Sequence, residues 1–304
     1  MEKELIFKSR SFSSCILAAY KLMSDNLKGI IRSTWLPVLL MALFGGIFMA
    51  LNVHNERVIQ WGITNTGLYL AASLSTMLIT LVCSLWAISR LMSKLNDEDR
   101  RWNFLRALKL WIYVLAIALV IGAVFSLLLV GAIHMLKCDP VTFVTDNWLA
   151  LMAVVLITAL FLLPFNYICM RYLYDRKACF WKDLPKTYMT GLRHLSLIFL
   201  TTLISGIITG IIALVIYLPL MVLITANAMS TIGVVSGDPS GMPSSFPLLL
   251  GATTFVVTVL IWYVSAFQII IYLFMYGSIE KLREERRNTA LVPAEELTPT
   301  PYNP

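Results

Sequence analysis

Charged residues are scarce in this sequence, and their scarcity excludes a soluble globular protein. Asp, Glu, Lys and Arg make up 13% of the chain, whereas they make up about a quarter of a typical soluble domain. Hydrophobic residues make up 59%, and the mean hydropathy is +0.79. We therefore expect a polytopic, all-helical membrane protein, in which lipid rather than water covers the apolar surface.

Cysteine is also sparse, and its spacing excludes the common metal-binding motifs. The five cysteines form no CxxC pair, and the topology derived below leaves only Cys138 in an outer loop, so we expect no intramolecular disulfide. His134 and Cys138 lie about one helical turn apart with Asp139 adjacent, but this set falls short of the four ligands that a structural metal site needs. We predict no metal centre and no cofactor.

Ionisable residues are absent from the middle of the apolar segments. An ion-coupled transporter or an intramembrane protease needs such groups within the bilayer. Glu284 and Glu285 with Arg286 resemble the paired glutamates of prenyl-processing membrane proteases, but they lie in the C-terminal tail, lack that family's arginine spacing and have no membrane histidines. We therefore expect no catalytic residues and no enzyme activity.

Long apolar segments are what the sequence does contain. The stretch from Thr201 to Ala226 has no Asp, Glu, Lys, Arg or His, and at about 1.5 Å per residue a helix of this length crosses a hydrocarbon core of about 30 Å. Comparable stretches predict one transmembrane domain over residues 1–279, with six spans at about 31–52, 65–92, 110–136, 148–174, 195–226 and 248–279. Residues 280–304 are charged and then proline-rich, so we expect a disordered tail.

The positive charges are sorted along the chain. Every Lys and Arg except Arg57 and Lys137 lies in the N-terminal segment up to Arg32, in or beside the connections around Arg100 and Lys182, or in the tail. Such asymmetry between short loops predicts a multi-pass protein of the cytoplasmic membrane with both termini in the cytoplasm. The net charge of +7 therefore reflects sidedness, and we expect no nucleic-acid partner.

Amphipathic segments precede the first and fifth spans. Residues 11–30 and 175–194 place apolar side chains at helical spacing on one side and basic residues on the other. This pattern is typical of a helix lying in the membrane interface, although an amphipathic helix packed on other protein gives the same pattern.

Small residues recur every fourth position in alternate spans, which indicates an internal repeat. They are Ala42, Gly46 and Ala50 in the first span, Ala118, Gly122 and Ser126 in the third, and Thr202, Gly206 and Gly210 in the fifth. We predict three repeated helical hairpins, each led by an amphipathic interfacial helix, with close helix packing at these residues. Chance alignment of common small residues is the alternative. If the repeat is real, we expect the small-residue faces to meet near a central axis, which favours a packed centre rather than an open pore.

Two amides are the strongest polar candidates inside the membrane. Asn166 follows Pro164 by two positions, and Gln268 lies in the sixth span. Either amide could hydrogen-bond a neighbouring helix, and Asn166 could instead satisfy a carbonyl freed by the proline. The alternative is a polar lining for the headgroup of an amphiphile.

The opening stretch SFSSCILAAYKLMSDNLKGIIRSTWLPVLLMALFGGI carries a family resemblance. It resembles uncharacterised six-helix bacterial membrane proteins, which are similar to the membrane domain fused to some glycerophosphodiester phosphodiesterases. The resemblance implies a bacterial cytoplasmic-membrane protein and supplies no catalytic residues. The short loops and tail leave no room for that enzyme's soluble catalytic domain, so the resemblance does not imply its activity.

The sequence leaves two functional hypotheses. The first is a noncatalytic scaffold or accessory subunit that engages anionic lipid headgroups at the cytoplasmic face, or a protein partner through its loops or tail. The second is a transporter or carrier of a hydrophobic or amphipathic molecule, in which Pro37, Pro164 and Pro219 break helices around a cavity. An enzyme that acts on lipid has the least support.

Overall fold

The described part of the chain is almost entirely helical. The computed structural model describes residues 3–52, 65–136, 139–237 and 242–289 of the 304-residue chain, and within these ranges it contains no strands. The helices are α1 (Lys3–Ile6), α2 (Phe12–Leu51), α3 (Thr66–Asn96), α4 (Arg100–Leu136), α5 (Pro140–Asp146), α6 (Trp148–Leu162), α7 (Pro164–Tyr174), α8 (Phe180–Arg193), α9 (Leu195–Val235) and α10 (Phe246–Thr289).

Six helical segments are long and apolar enough to cross a bilayer. They are Phe12–Leu51, Thr66–Asn96, Arg100–His134, Trp148–Tyr174, Leu195–Gly233 and Phe246–Asn288. The six spans predicted from the sequence are thus confirmed by length and composition, as expected of a multi-pass membrane protein.

The amphipathic segments before the spans differ in form. Residues 12–30 continue into the first span as one helix, α2, because no break separates them. Only α8 is a separate helix, since the chain leaves helical geometry at His194 before α9 begins. The arrangement as three repeated hairpins stays a prediction.

The prolines act differently from one another. Pro37 and Pro219 lie inside continuous helices, so the expectation that they break their spans is wrong. A proline removes one backbone hydrogen bond from a helix. In lipid the helix continues nevertheless, because the remaining backbone groups have no water to bond and stay paired within the helix. Pro164 does interrupt its span, because α6 ends at Leu162 and α7 begins at Pro164 itself.

The buried core surrounds the C-terminal half of α10. Ile270, Phe274 and Ile279 have no exposed surface, and α2 and α9 both pack along α10, while α3 packs along α2. The most apolar stretch of α4 and the whole of α6 contain no buried residue. The hairpin of α4 and α6 therefore stands at the periphery, where its side chains face lipid.

Four charged segments lie at the same end of the molecule, which we call the charged end: residues 3–11, 90–106, 171–182 and 274–289. Ser278 on α10 accepts a hydrogen bond from the Arg10 N–H at 2.9 Å and donates one to the Arg10 carbonyl at 3.0 Å. Glu98 and Arg176 form an ion pair at 3.5 Å across two connections. The Phe7 ring meets the Tyr174 ring edge-on at 5.8 Å, which joins the N-terminal segment to the end of α7. The N-terminal segment, both long basic connections and α10 therefore lie at one end, as an even number of crossings requires.

Helix α10 also extends through residues 280–289, which the sequence assigned to the tail. Ion pairs one turn apart, Lys281–Glu284 at 2.8 Å and Arg283–Glu280 at 3.8 Å, favour helix there. The remaining tail residues, 290–304, lie outside the described residues.

Candidate functional site

Arg106 holds together the region of the charged end where α4 meets α7 and α8. Its guanidinium donates hydrogen bonds to the backbone carbonyls of Tyr172, Asp175 (2.7 Å), Arg176 (2.7 Å) and Ala178 (2.9 Å). These carbonyls belong to the C-terminal turn of α7 and the connection that follows, where a helix leaves its last acceptors unpaired. The planar fork of arginine satisfies several acceptors at once, so one side chain fixes the path of residues 172–178.

Aromatic rings line the space beside this anchor. Arg106 also lies over the ring of Trp102, 4.4 Å from its centroid. Tyr113 stacks on Phe180 with centroids 4.9 Å apart and meets Trp181 edge-on at 5.6 Å. Tyrosine and tryptophan rings are enriched at the level of lipid headgroups, because one part of each ring is apolar and the other is polar.

Between these rings lies a cavity of about 510 Å³, which we call the basic cleft. Its walls come from α4 and from the start of α8, and Lys109 and Lys182 lie at its rim with exposed side chains. Within the described part of the chain, neither lysine has a hydrogen bond or an ion pair to its ammonium group. The two positive charges are therefore available to a ligand, whereas the charge of Arg106 is already engaged with backbone carbonyls.

A second cavity, of about 390 Å³, lies in the same seam between α4 and α8 and reaches α6 and α7; we call it the apolar slot. Its lining is almost wholly hydrocarbon and consists of Ile121, Thr158, Phe161, Leu162, Phe165, Leu184, Pro185 and Tyr188. On α8 the slot begins within one turn of Trp181 and Lys182, which line the cleft. On α4, Ile121 lies about 18 Å further along the axis than Lys109, given 1.5 Å per residue.

The floor of the slot forms where α8 docks on the break at Pro164. The Tyr188 hydroxyl donates a hydrogen bond to the Phe161 carbonyl at 3.0 Å, next to that break. Gly191 lies against Pro164 so closely that an added Cβ would be 2.9 Å from the proline Cβ. Arg171 reaches the Thr187 hydroxyl at 2.7 Å. Tyr188 thus satisfies a carbonyl beside the break, while the Leu160 carbonyl, four residues before the proline, accepts the Leu163 N–H at 3.3 Å.

Asn166 and Gln268 both bond to hydroxyl groups along one side of α9. The Asn166 amide donates to the Thr202 hydroxyl at 3.5 Å, which is a long contact. Gln268 donates to Ser205 at 2.8 Å and accepts from Thr209 at 3.4 Å. These contacts join α7 and α10 to α9 and support the role of interhelical hydrogen bonding. Neither amide lines the basic cleft or the apolar slot.

The small-residue stripes have different surroundings. On α2, Ala42 is buried, an added Cβ at Gly46 would lie 2.6 Å from the Gly251 carbonyl oxygen, and Ala50 packs on Gly251. An added Cβ at Gly122, Gly206 or Gly210 would meet nothing within 4 Å. Ala118 and Ser126 are exposed, and Thr202 bonds Asn166. The predicted close packing is thus present on α2, against α10, while the three stripes do not meet at one axis within this chain.

The remaining candidates form no centre among the described residues. No group of three or more His, Cys, Asp or Glu side chains that could hold a metal occurs there; His134 is exposed, and Cys138 lies outside the described residues. Glu284 forms an ion pair with Lys281 at an exposed turn of α10. Burial lowers the pKa of His194, and the cations Arg286 and Arg193 lower it further, against an opposing effect of Glu280.

Sequence reasoning missed Arg106 and the docking of the N-terminal segment. The position of Arg106 one turn after Trp102 was a signal for a cation–π pair, but its backbone acceptors come from about seventy residues later in the chain. Ile6 is fully buried against Gly277, a contact that only the tertiary structure creates.

A comparison of the chain with protein-family models, with curated proteins and with solved structures finds no match. The resemblance to the membrane domains of glycerophosphodiester phosphodiesterases therefore stays a prediction, and the functional conclusion below depends on the geometry of the charged end.

Proposed function

We propose that this chain is a noncatalytic scaffold or accessory subunit of a bacterial cytoplasmic membrane, which engages anionic lipid at its charged end. The observation that supports this proposal most directly is the meeting of the four charged segments at one end of the molecule. Apolar and aromatic side chains lie directly beside those charges, as a surface at headgroup level requires.

The sorting of positive charge indicates which side of the membrane this end faces. Segments rich in Lys and Arg stay on the cytoplasmic side during insertion. The cytoplasmic leaflet carries anionic lipids, and each basic residue near its surface is worth about 1 kcal/mol of attraction. In this proposal both termini are cytoplasmic and the charged end lies against anionic headgroups.

A protein partner fits the same end. Helix α10 presents Arg286 and Arg287, both exposed, beyond the buried part of the bundle, and the pair lies two turns past the core residue Ile279. A partner with acidic side chains would meet these charges with complementary ones, and such pairing chiefly raises association rate and specificity.

Lipid composition around the extracted protein tests the proposal. Membrane discs cut out by an amphipathic polymer retain the lipids nearest the protein, and we expect them to be enriched in anionic over zwitterionic phospholipid relative to the whole membrane. The enrichment should shrink as the salt concentration rises, because exposed charges are screened within about 10 Å at 0.1 M. Recovery of neither an anionic enrichment nor a stoichiometric protein partner would overturn the proposal.

A further inference from the structure

We propose that the seam between α4 and α8 holds one anionic glycerophospholipid, with its phosphate between Lys109 and Lys182 and one acyl chain in the apolar slot. The inference rests on the proposed function, since it names the ligand and the site through which the charged end engages lipid. It adds a defined stoichiometry and a defined position, neither of which follows from a diffuse basic surface.

The charges of the basic cleft favour a single anionic headgroup. Lys109 and Lys182 project from different helices at the rim of the same cavity. The nearby carboxylates bond backbone groups rather than these lysines, because Asp183 accepts the Cys179 N–H at 3.0 Å and Asp175 accepts the Lys177 N–H at 3.0 Å. Two ammonium groups that pair with no carboxylate among the described residues make a complementary site for a phosphate diester.

The apolar slot distinguishes a lipid from a free phosphate ion. On α8 the residues that line the slot begin at Leu184, two positions after Lys182 of the cleft. Along α4, the distance of about 18 Å between Lys109 and Ile121 is comparable with the depth of one leaflet, about half of a 30 Å hydrocarbon core. Both cavities fall within the range of about 300–1,000 Å³ that is usual for ligand sites. An acyl chain attached to a headgroup in the cleft would therefore reach an apolar groove at the required depth.

The two parts of the site contribute differently. A lipid tail gains little by moving from bilayer to slot, because lipid is as apolar as the slot wall. Selectivity must then come from the headgroup, while the slot fixes the position of the molecule. A lysine near a lipid surface strengthens the binding of an anionic headgroup about fivefold. The two lysines together are therefore expected to raise the preference for an anionic over a zwitterionic headgroup about 30-fold.

Native mass spectrometry of the full chain, released from detergent micelles after incubation with phosphatidylglycerol and phosphatidylcholine, tests this site. We expect the unaltered protein to retain one phosphatidylglycerol. Lys109→Ala with Lys182→Ala should weaken that retention about 30-fold. The matched control removes two exposed lysines of the charged end outside the cleft, Lys8→Ala with Lys94→Ala, and should retain the lipid.

A second pair of variants tests the slot without a change in charge. Leu184→Trp fills the slot, whereas Leu128→Trp places the same bulk on a surface of α4 that already faces lipid. We expect loss of the retained phosphatidylglycerol from the first variant only. These variants also decide the matter if the double lysine variant fails to fold.

The outcomes separate this inference from the proposed function. Equal loss in the cleft and control variants, or no loss in the cleft and slot variants, overturns the seam site. Retention of no lipid by the unaltered protein also overturns the seam site, and the proposed function then stands if the polymer discs still show anionic enrichment or a stoichiometric protein partner. Inorganic phosphate that displaces the lipid at millimolar concentration would show that the slot plays no part, which also contradicts the inference.

Discussion

Gly46 is the position where side-chain size matters most for the packing of α2 on α10. An added Cβ at Gly46 would lie 2.6 Å from the Gly251 carbonyl oxygen, and one at Gly251 would lie 3.1 Å from that of Gly46. Both obstacles are backbone atoms, which cannot rotate away. We expect Gly46→Ala to lower the free energy of unfolding by about 1–3 kcal/mol, as overpacking does, measured by denaturation in mixed micelles.

Gly206→Ala is the matched control, because an added Cβ there meets nothing within 4 Å. Alanine has the higher helix propensity, by about 1 kcal/mol, so this variant should be neutral or more stable. Equal destabilisation by the two substitutions would contradict the close approach of α2 and α10.

His194 gives the fold a pH dependence with a defined sign. Its pKa is lowered in the folded state, first by burial and then by Arg286 and Arg193, with Glu280 opposing. The folded state thus favours the neutral imidazole ring. This preference contributes fully to stability above the ordinary pKa of about 6.5, and the contribution is lost as the pH falls through the lower pKa of the folded state. Melting curves at pH 7.5 down to pH 5 should show this loss.

His194→Gln removes the titration while keeping a polar side chain at the junction of α8 and α9. We expect the melting temperature of this variant to fall less between pH 7.5 and pH 5 than that of the unaltered protein. The same slope in both proteins would mean that other groups cause the pH dependence.

The role of an individual residue was predictable from the sequence only where its side chain needs a kind of partner that neighbouring helices usually supply. Asn166 and Gln268 stood out because an amide in a span needs a hydrogen-bond partner, and α9 supplies hydroxyl groups. Arg106 did not stand out, since a basic residue in a basic connection looks like one more solvated charge. Its role depends on carbonyl groups, which every residue carries and which no sequence pattern marks.

At the scale of the element, Ser278 ties the N-terminal segment to α10 by hydrogen bonds, beside the ring contacts of Phe7 and Arg10 with the same helix. The Ser278 hydroxyl bonds both the N–H and the carbonyl of Arg10, and Ile6 packs on Gly277. We expect Ser278→Ala to loosen residues 3–11, because two hydrogen bonds worth about 1 kcal/mol each are lost. Faster amide exchange in this segment, with α10 unchanged, is the predicted observation.

Ser265→Ala is the control on the same helix, because the Ser265 hydroxyl bonds only the Ile261 carbonyl of α10 itself. It should leave exchange in residues 3–11 unchanged. Equal protection of the segment in both variants would show that Ser278 does not hold it.

Helix boundaries were less predictable than helix existence. The apolar stretches predicted six spans, but the patterns did not show that residues 12–30 join the first span or that α10 continues beyond residue 279. Local pairs such as Lys281–Glu284 extend α10, and the proline rule alone does not separate Pro164 from Pro37 and Pro219. What distinguishes Pro164 is the docking of α8, whose Tyr188 hydroxyl bonds the Phe161 carbonyl beside the break.

At the scale of the whole molecule, the packing is uneven between the two ends. The core residues of α10 gather near the charged end, while α6 and the apolar stretch of α4 contain no buried residue. A sequence repeat predicts three equivalent hairpins, yet the hairpin of α4 and α6 packs much less than its counterparts. The contacts of α10 with α2 and α9 cause this difference, and the small-residue spacing, which is the same in all three stripes, does not show which stripe packs closely.

The sidedness of the charged end tests the account most directly. Single cysteines are introduced in a chain whose five native cysteines are replaced by alanine. The positions are Lys94→Cys, Lys177→Cys and Arg287→Cys at the charged end, and Thr145→Cys and Ser244→Cys at the other end. A membrane-impermeant maleimide is added to intact cells and to permeabilised cells. We predict that intact cells label only Thr145→Cys and Ser244→Cys, and that the other three react after permeabilisation. Labelling of any charged-end position in intact cells would contradict the account.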